Sequence, residues 1–299
     1  MTTAEQSEQS QQVPSGTVVV GVDGSPGAAA ALDWAVAEAR RAGRALTLAH
    51  GWHEGALVVV DVAGYDHTVL RSELAEESRR LVERTAEEVR ASAPDLEVHT
   101  ISRSHDPRSL LLALAERAAV VVVGSRGRGP VASLLLGSVG AAVARHARCP
   151  VAVVRGASGA QPGGVLVAAD GTDVSVPAVE LAYEHAASRG VPLTVLHACW
   201  DARAVARGVD VDQLPGAEDL RVSLSQTLAG LAEKYPDVRV VVDLESGLTE
   251  RVVDEAARGR ELVVVGHHRS GLVGSLLHGS VAVHVVEHAE VPVLVVPAD

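Results

Sequence analysis

Aromatic side chains are almost missing from this chain of 299 residues, which has no phenylalanine, three tryptophans and three tyrosines. The hydrophobic fraction is nevertheless 47%, so alanine, valine and leucine must fill the core. Such residues are typical of parallel strands that are buried on both faces under closely packed helices. The chain is long enough for two domains of roughly 150 residues each.

Lysine and cysteine are also scarce, and their scarcity disfavours several kinds of chemistry. Lys234 is the only lysine, so the chain has no P-loop motif, and a lysine Schiff base or nucleophile is disfavoured. Cys149 and Cys199 lie far apart without metal-ligand spacing. This pattern indicates two reduced thiols and predicts a cytoplasmic location.

The chain has an excess of acidic residues and no long apolar run. Its formal net charge of −12 argues against nucleic acid as a main partner, because binding to phosphate backbones needs a basic face. No stretch reaches the roughly 18 uninterrupted apolar residues of a membrane span. The start of the chain is polar and does not resemble a secretory signal, so residues 1–13 are expected to form a disordered tail.

A glycine-rich segment, residues 124–138, follows the apolar run Val120–Val123 and reads GSRGRGPVASLLLGS. A strand that leads through glycines into a helix can bind phosphate, because backbone N–H groups approach the anion and the helix N-terminus favours negative charge. The alternative is an ordinary strand-to-helix turn that needs glycines with positive φ. The glycines alone do not separate these two interpretations.

The same pattern returns in residues 266–280, GHHRSGLVGSLLHGS. Gly124 and Gly266 are 142 residues apart, whereas Asp23 and Asp170, further upstream, are 147 apart. A fixed order of such landmarks indicates one duplicated domain. We predict a first domain over 14–155, a small-residue linker over 156–164 and a second domain over 165–299.

Each copy alternates apolar strands with helices, which predicts parallel β-α-β units. The first helices are predicted over Pro26–Ala42 and Val176–Arg189 and end at Gly43 and Gly190. A longer segment after the second strand differs between the copies. It is where individual specificity is expected.

These residues resemble the universal stress protein family in its tandem form. The resemblance rests on Gly124, Gly127 and, after nine intervening residues, Gly137-Ser138, together with the opening Val22–Ser25 and the ending Cys149–Val154. It implies an α/β chain with two tandem Rossmann-like domains of the adenine nucleotide alpha hydrolase-like kind. Each would be a five-stranded parallel sheet of order 3-2-1-4-5 flanked by helices, with ligands bound where strands one and four diverge.

The resemblance also implies an ATP site in copy one, with or without Mg²⁺. The residues carried over are Val22, Asp23, Gly124, Arg126, Gly127, Gly137, Ser138 and Val139. Asp23 could instead cap a turn, but Ser25 and Pro26 already suit that role, which favours Asp23 as a ligand to the adenosine. Arg126 and Arg128 could neutralise phosphate or remain solvated loop residues. Gly140 stands where family members often carry a hydroxyl.

Copy two departs from the motif, because Arg269 replaces the glycine that corresponds to Gly127. A side chain there hinders close approach of phosphate, so ATP binding is expected to be weak or absent in this copy. The degenerate site comprises Asp170, Gly266, Arg269, Gly279, Ser280 and Val281.

Three functions stay open from the sequence: an ATP-binding sensor or regulator of the stress response, a slow ATP hydrolase, and a nucleotide-free interaction module. No residue identifies a general base or a carboxylate cluster for Mg²⁺. His284 and His288 have the spacing of metal ligands, but ordinary helix-surface histidines explain them better. His50 and His197 end matching strands and are expected to be structural.

The last strands of the copies, Pro150–Val154 and Pro292–Val296, are strongly apolar, and bare edges of this kind favour pairing. In the family such strands pair with each other. The resemblance therefore implies an internal pseudo-dimer, and a homodimer is a further expectation.

Overall fold

The structure, a computed structural model, describes residues 13–52, 67–125, 136–155, 163–199, 217–268 and 281–298. It divides into two compact units, the first ending at Val154 and the second running from Arg155. Most of the predicted tail, linker and variable segments lies outside the described residues.

Unit one alternates strands and helices from its first element to its last. The elements are β1 Val18–Gly21, α1 Pro26–Ala42, β2 Leu46–Gly51, α2 His67–Ser92, β3 Val98–Arg103, α3 Pro107–Ala115, β4 Val120–Gly124, α4 Ser138–His146 and β5 Val151–Val154.

The sheet of unit one is parallel throughout and has the order β3-β2-β1-β4-β5. β1 lies at its centre, where Val18 pairs with Leu46 of β2 on one side and with Val120 of β4 on the other. The order reverses between β1 and β4. The prediction of an α/β fold with strand order 3-2-1-4-5 is confirmed.

Unit two repeats this alternation of strands and helices. Its elements are β6 Val165–Ala168, α5 Val176–Arg189, β7 Leu193–Cys199, α6 Ala217–Lys234, β8 Val240–Ser246, α7 Thr249–Ala257, β9 Leu262–His268, α8 Val281–His288 and β10 Val293–Ala298. Parallel pairing again gives the order 3-2-1-4-5, here β8-β7-β6-β9-β10.

The cores consist of the aliphatic residues that the composition predicts. In β1 and β4, Val18, Val20, Val121 and Val122 are completely buried, as befits strands covered on both faces. Helix α1 can pack closely on them because its buried face is largely alanine.

The predicted limits of α1 are confirmed, and the cap residues explain them. The Ser25 side chain accepts a hydrogen bond from the Ala28 N–H at 3.2 Å, and Pro26 occupies the first helical position. Gly43 ends the helix with a left-handed φ of 61°, a conformation that glycine adopts at little steric cost.

The first helix of unit two begins differently. Three residues of 3₁₀-helix, Asp173–Ser175, precede the 14-residue α5, whereas α1 is continuous over 17 residues. Pro177 has no N–H to donate to the carbonyl four residues earlier, so the α-helical hydrogen bonds cannot begin before it. The start of unit two's first helix is therefore tightened into a 3₁₀ turn.

Candidate functional site

The candidate site of unit one lies at the carboxyl ends of β1 and β4, where the strand order reverses. Val20 pairs with Val122, so Asp23 and Ser125 each lie three residues beyond the same rung of the ladder. Crevices at such reversals bind ligands in open parallel sheets. The topology thus brings together two regions that are about 100 residues apart in sequence.

Gly124 ends β4 against the first turn of α1. A Cβ at Gly124 would lie 2.5 Å from the carbonyl carbon and oxygen of Gly27, both backbone atoms. Only glycine allows this approach, and Gly124 is not among the described glycines with positive φ. Close packing of backbone therefore explains this glycine, and the alternative of a positive-φ turn does not.

The base of the glycine-rich segment is closed by one hydrogen bond. The Gly137 N–H donates to the Ser125 carbonyl at 2.9 Å, which fixes the start of α4 beside the end of β4. Arg126, Gly127 and Arg128 lie between these two residues and outside the described residues.

Helix α4 begins without a side-chain cap. Gly137 is its N-cap, with φ −61° and ψ 147°, and this residue has no side chain to accept a capping hydrogen bond from the first turn. Ser138 is exposed and Val139 is half-buried. The first N–H groups of a helix have no acceptor inside the helix and carry its positive dipole end. This turn is therefore suited to an anion.

Asp23 lies half-buried at the other side of the reversal. Its Oδ1 accepts a hydrogen bond from the Ser25 N–H at 2.9 Å. The prediction that the Ser25 cap leaves Asp23 free is thus wrong for one carboxylate oxygen, because an Asx turn and the helix cap coexist here. Oδ2 has no protein partner among the described residues.

His50, which we expected to be structural, contacts the backbone next to Asp23. The Nδ1 of His50 lies 2.6 Å from the carbonyl oxygen of Val22, the buried residue that precedes Asp23. His197 repeats this contact in unit two, where its Nδ1 lies 2.8 Å from the Ala169 carbonyl oxygen. The structural interpretation of both histidines is confirmed, and the ring of each fixes the backbone beside the candidate carboxylate.

The corresponding carboxylate of unit two is more heavily engaged. Asp170 Oδ1 accepts hydrogen bonds from the N–H and the hydroxyl of Thr172, at 2.9 and 2.7 Å. Burial raises the pKa of the Asp170 carboxyl, but hydrogen bonds from Thr172 and Ser175 outweigh it and bring the pKa below its ordinary value. Both Thr172 hydrogen bonds fall on Oδ1, so the local turn engages this oxygen with two donors where Asp23 Oδ1 accepts from one.

The rest of the degenerate site is only partly described. Gly266 lies inside β9, where it pairs with Val296 of β10, and a Cβ there would lie 3.9 Å from the Ala178 Cβ, an ordinary contact. Val281 is the first residue of α8. Arg269, Gly279 and Ser280 lie outside the described residues.

His284 and His288 lie on α8 as half-buried and exposed residues, and each has a local contact. His284 Nε2 lies 2.7 Å from Asp254 Oδ2, and the two imidazole rings stack with centroids 4.1 Å apart. Across the described ranges, no three histidine, cysteine or acidic side chains gather as a metal site. The helices of those ranges also include none with the length and apolar character of a membrane span.

Comparison with known proteins agrees with the geometry. The sequence matches the universal stress protein family over residues 15–155 and again over 164–297. It is 35% identical to a universal stress protein of Mycobacterium tuberculosis and 36% identical to one of Mycolicibacterium smegmatis, each alignment covering 93% of this chain and 96% of the relative. A crystal structure of a universal stress protein from Archaeoglobus fulgidus superposes with a TM-score of 0.70 at 21% identity, covering 95% of this chain and 99% of that one. The chain therefore belongs to the universal stress protein family and carries two of its domains in tandem.

Proposed function

We propose that unit one binds ATP in the crevice between β1 and β4 and acts as a nucleotide-dependent regulator of the stress response. The observation that carries this proposal is the uncapped N-terminus of α4, which the Gly137–Ser125 hydrogen bond fixes beside the end of β4. Free N–H groups at a helix start form a ready site for phosphate. Because the chain has no P-loop lysine, these backbone donors must provide much of the phosphate contact.

The two sides of the crevice suit the two ends of the nucleotide. Asp23 Oδ2 can accept a hydrogen bond from a ribose hydroxyl or from the adenine amino group, while Val22 and Val139 offer apolar contact. Gly124 keeps the floor narrow through its contact with Gly27. From the sequence, Arg126 and Gly127 are proposed to complete the phosphate side, as guanidinium donor and open backbone.

We assign unit two a weak or absent nucleotide site. Asp170 already accepts two hydrogen bonds from Thr172, and the 3₁₀ turn precedes its helix where unit one has an α-helical first turn. Arg269 is proposed to obstruct phosphate approach further. Pairing of the domains through their last strands, homodimerisation and a cytoplasmic location stay predictions from the sequence.

Binding without turnover is the function that the described residues favour. Asp23 is the carboxylate that the topology places at this crevice, and across the described residues no cluster of three or more histidine, cysteine or acidic side chains could hold a metal. Mg²⁺ bound by few protein carboxylates is held largely by phosphate oxygens and water. It would enter here as part of the ATP complex.

Calorimetry with two ligands and two kinds of variant tests the proposal. Ser138→Pro removes the N–H and the hydroxyl at the first helical position, where proline is tolerated, and Gly137 already has the extended ψ that precedes a proline. We expect this variant to bind ATP about tenfold or more weakly, since it loses hydrogen bonds to a charged group. Ser138→Ala, the matched control, should lose less.

Adenosine separates the two ends of the site. Asp23→Asn should weaken ATP and adenosine alike, whereas Ser138→Pro should weaken ATP and leave adenosine unchanged. Wild-type protein that binds no ATP contradicts the proposal. Equal loss of both ligands in Ser138→Pro would show that the phosphates lie elsewhere.

A further inference from the structure

A cavity of about 300 Å³ lies beneath α3 in unit one, on the other face of the sheet from α1. Gly21 marks this face, because a Cβ there would lie 3.2 Å from Leu111 of α3, and Val19 shares the face by strand alternation. The cavity has an apolar wall formed by Val19, Ile101, Leu110 and Leu114. Its size is at the lower end of the roughly 300–1,000 Å³ that small-molecule sites span.

The charged groups that line this cavity are all basic. Arg103 and His105 lie near the start of α3 and Arg117 lies just after its end, and none of the lining residues is acidic. Neither guanidinium has a side-chain partner among the described residues. In a chain with net charge −12, a concave and largely apolar surface whose described lining includes two arginines and no acidic residue is a distinctive local environment.

The position in unit two that corresponds to Ala118 can be identified from a shared backbone hydrogen bond. The Glu261 N–H donates to the Gly164 carbonyl at 2.9 Å, just as the Ala119 N–H donates to the Thr17 carbonyl at 2.9 Å. The residues before these donors, Arg260 and Ala118, are therefore equivalent.

Arg260 fills the space that Ala118 leaves open. Its Nη1 donates to the Gly163 carbonyl and to the Thr194 hydroxyl, each at 2.8 Å. Thr194 corresponds to Thr47 of unit one, whose hydroxyl bonds instead with that of Thr17 at 3.0 Å. In unit one the hydroxyls of Thr17 and Thr47 bond with each other, so neither needs a donor from an arginine such as Arg260. The smaller Ala118 can therefore stand at this position and leave the cavity open.

The charge on the third strand is also reversed between the units. Gly51 pairs with Arg103 in unit one, and Ala198 pairs with Glu245 at the equivalent rung of unit two. Two residues earlier on the same strand, Ile101 of unit one corresponds to Asp243 of unit two. Unit two therefore has an arginine-filled acidic surface where unit one has an open basic cavity.

We propose that the cavity beneath α3 binds a small amphipathic monocarboxylate, with its hydrocarbon part against Pro14 and Leu114 and its carboxylate on Arg103. Charge complementarity selects an anion, because arginine pairs with carboxylate through two parallel hydrogen bonds. The apolar wall selects a ligand with a hydrocarbon body over a bare ion. This site lies on the α3 face of the sheet and is independent of the proposed nucleotide crevice.

Ligand-observed NMR titration of the full chain with octanoate tests this inference. Saturable binding at one site is expected, and 1-octanol, which keeps the chain and lacks the charge, should bind about tenfold or more weakly. Octylamine, which carries the opposite charge, should bind weakest. Absence of saturable octanoate binding at millimolar concentration, or equal binding of 1-octanol, overturns the proposal.

Two variants copied from unit two locate the site. Ala118→Arg should abolish binding by filling the cavity, and Arg103→Glu should weaken it at least tenfold by reversing the rim charge. Ala91→Arg, on an exposed position of α2, adds the same charge elsewhere and should bind normally. Should Ala118→Arg fail to fold, Arg103→Glu still decides, and unchanged octanoate affinity in that variant overturns the assignment.

Discussion

The two units share one topology, yet they differ where the fourth strand meets the first helix. In unit one the end of β4 touches the backbone of Gly27, so that Gly124 has no room for a side chain. In unit two the equivalent Gly266 has ordinary space, with Ala178 as its neighbour. The same glycine in the same motif is thus a steric requirement in one copy and not in the other, and a glycine-rich pattern does not by itself identify a phosphate contact.

The largest effect should come from adding one methyl group at these two glycines. Gly124→Ala forces backbone atoms apart and should lower the free energy of unfolding by about 3 kcal/mol. Gly266→Ala should change it by less than about 0.5 kcal/mol. Urea unfolding followed by circular dichroism measures both, and similar losses would show that the two contacts are equally tight.

The next largest effect is expected at Arg260, the residue of unit two that corresponds to Ala118. Arg260→Ala leaves the Gly163 carbonyl and the Thr194 hydroxyl without their donor and should cost about 2 kcal/mol of unfolding free energy. Arg258→Ala, an exposed neighbour in sequence, is the control and should cost little. Asp243 and Glu245 stand at the strand positions of Ile101 and Arg103, so Arg260→Ala should gain no octanoate binding. A gain would mean that the rim charge does not select the ligand.

A smaller difference is expected at alkaline pH. Burial raises the pKa of the Cys149 thiol to about 11, above the ordinary value of about 8.5 in an unfolded chain. The folded state therefore retains the proton longer, so this stability is complete below pH ~8.5 and is lost as pH rises toward 11. We expect a loss of about 1–2 kcal/mol at pH ~10.

Cys149→Val copies Val291, the equivalent residue of unit two, and removes the titrating group. Unfolding free energies of wild type and variant, measured between pH 7 and pH ~10.5, should converge at the alkaline end if wild type is the more stable at neutral pH. Parallel pH profiles would mean that the thiol is not the group responsible.

Much of the fold follows from the sequence because local signals and the repeat agree. Ser25, Pro26 and Gly43 mark α1 at both ends, and apolar valine runs mark the strands. The 3₁₀ turn before α5 was not predicted, although Pro177 gave the signal through its missing N–H. The strand order came from the family resemblance, since no local pattern specifies which strands become neighbours.

The candidate site was only partly predictable. The sequence identifies Asp23, Gly124 and Gly137, but it does not show that Ser25 uses one oxygen of Asp23 or that Gly27 occupies the space beside Gly124. Both are tertiary or turn contacts that residue types do not encode. The cavity beneath α3 was missed for another reason: Ala118 and Arg103 are unremarkable alone and become informative only beside Arg260 and Glu245.

The hydrogen bond between Gly137 and Ser125 has a consequence for how this family can diversify. It joins the two ends of the intervening segment, so this backbone hydrogen bond helps to offset the entropy lost when the loop is closed. Closure entropy grows only with the logarithm of loop length, about 0.6 kcal/mol for each doubling. A change in the length of this segment should therefore cost little stability, as long as the Gly137–Ser125 hydrogen bond keeps β4 and α4 in place.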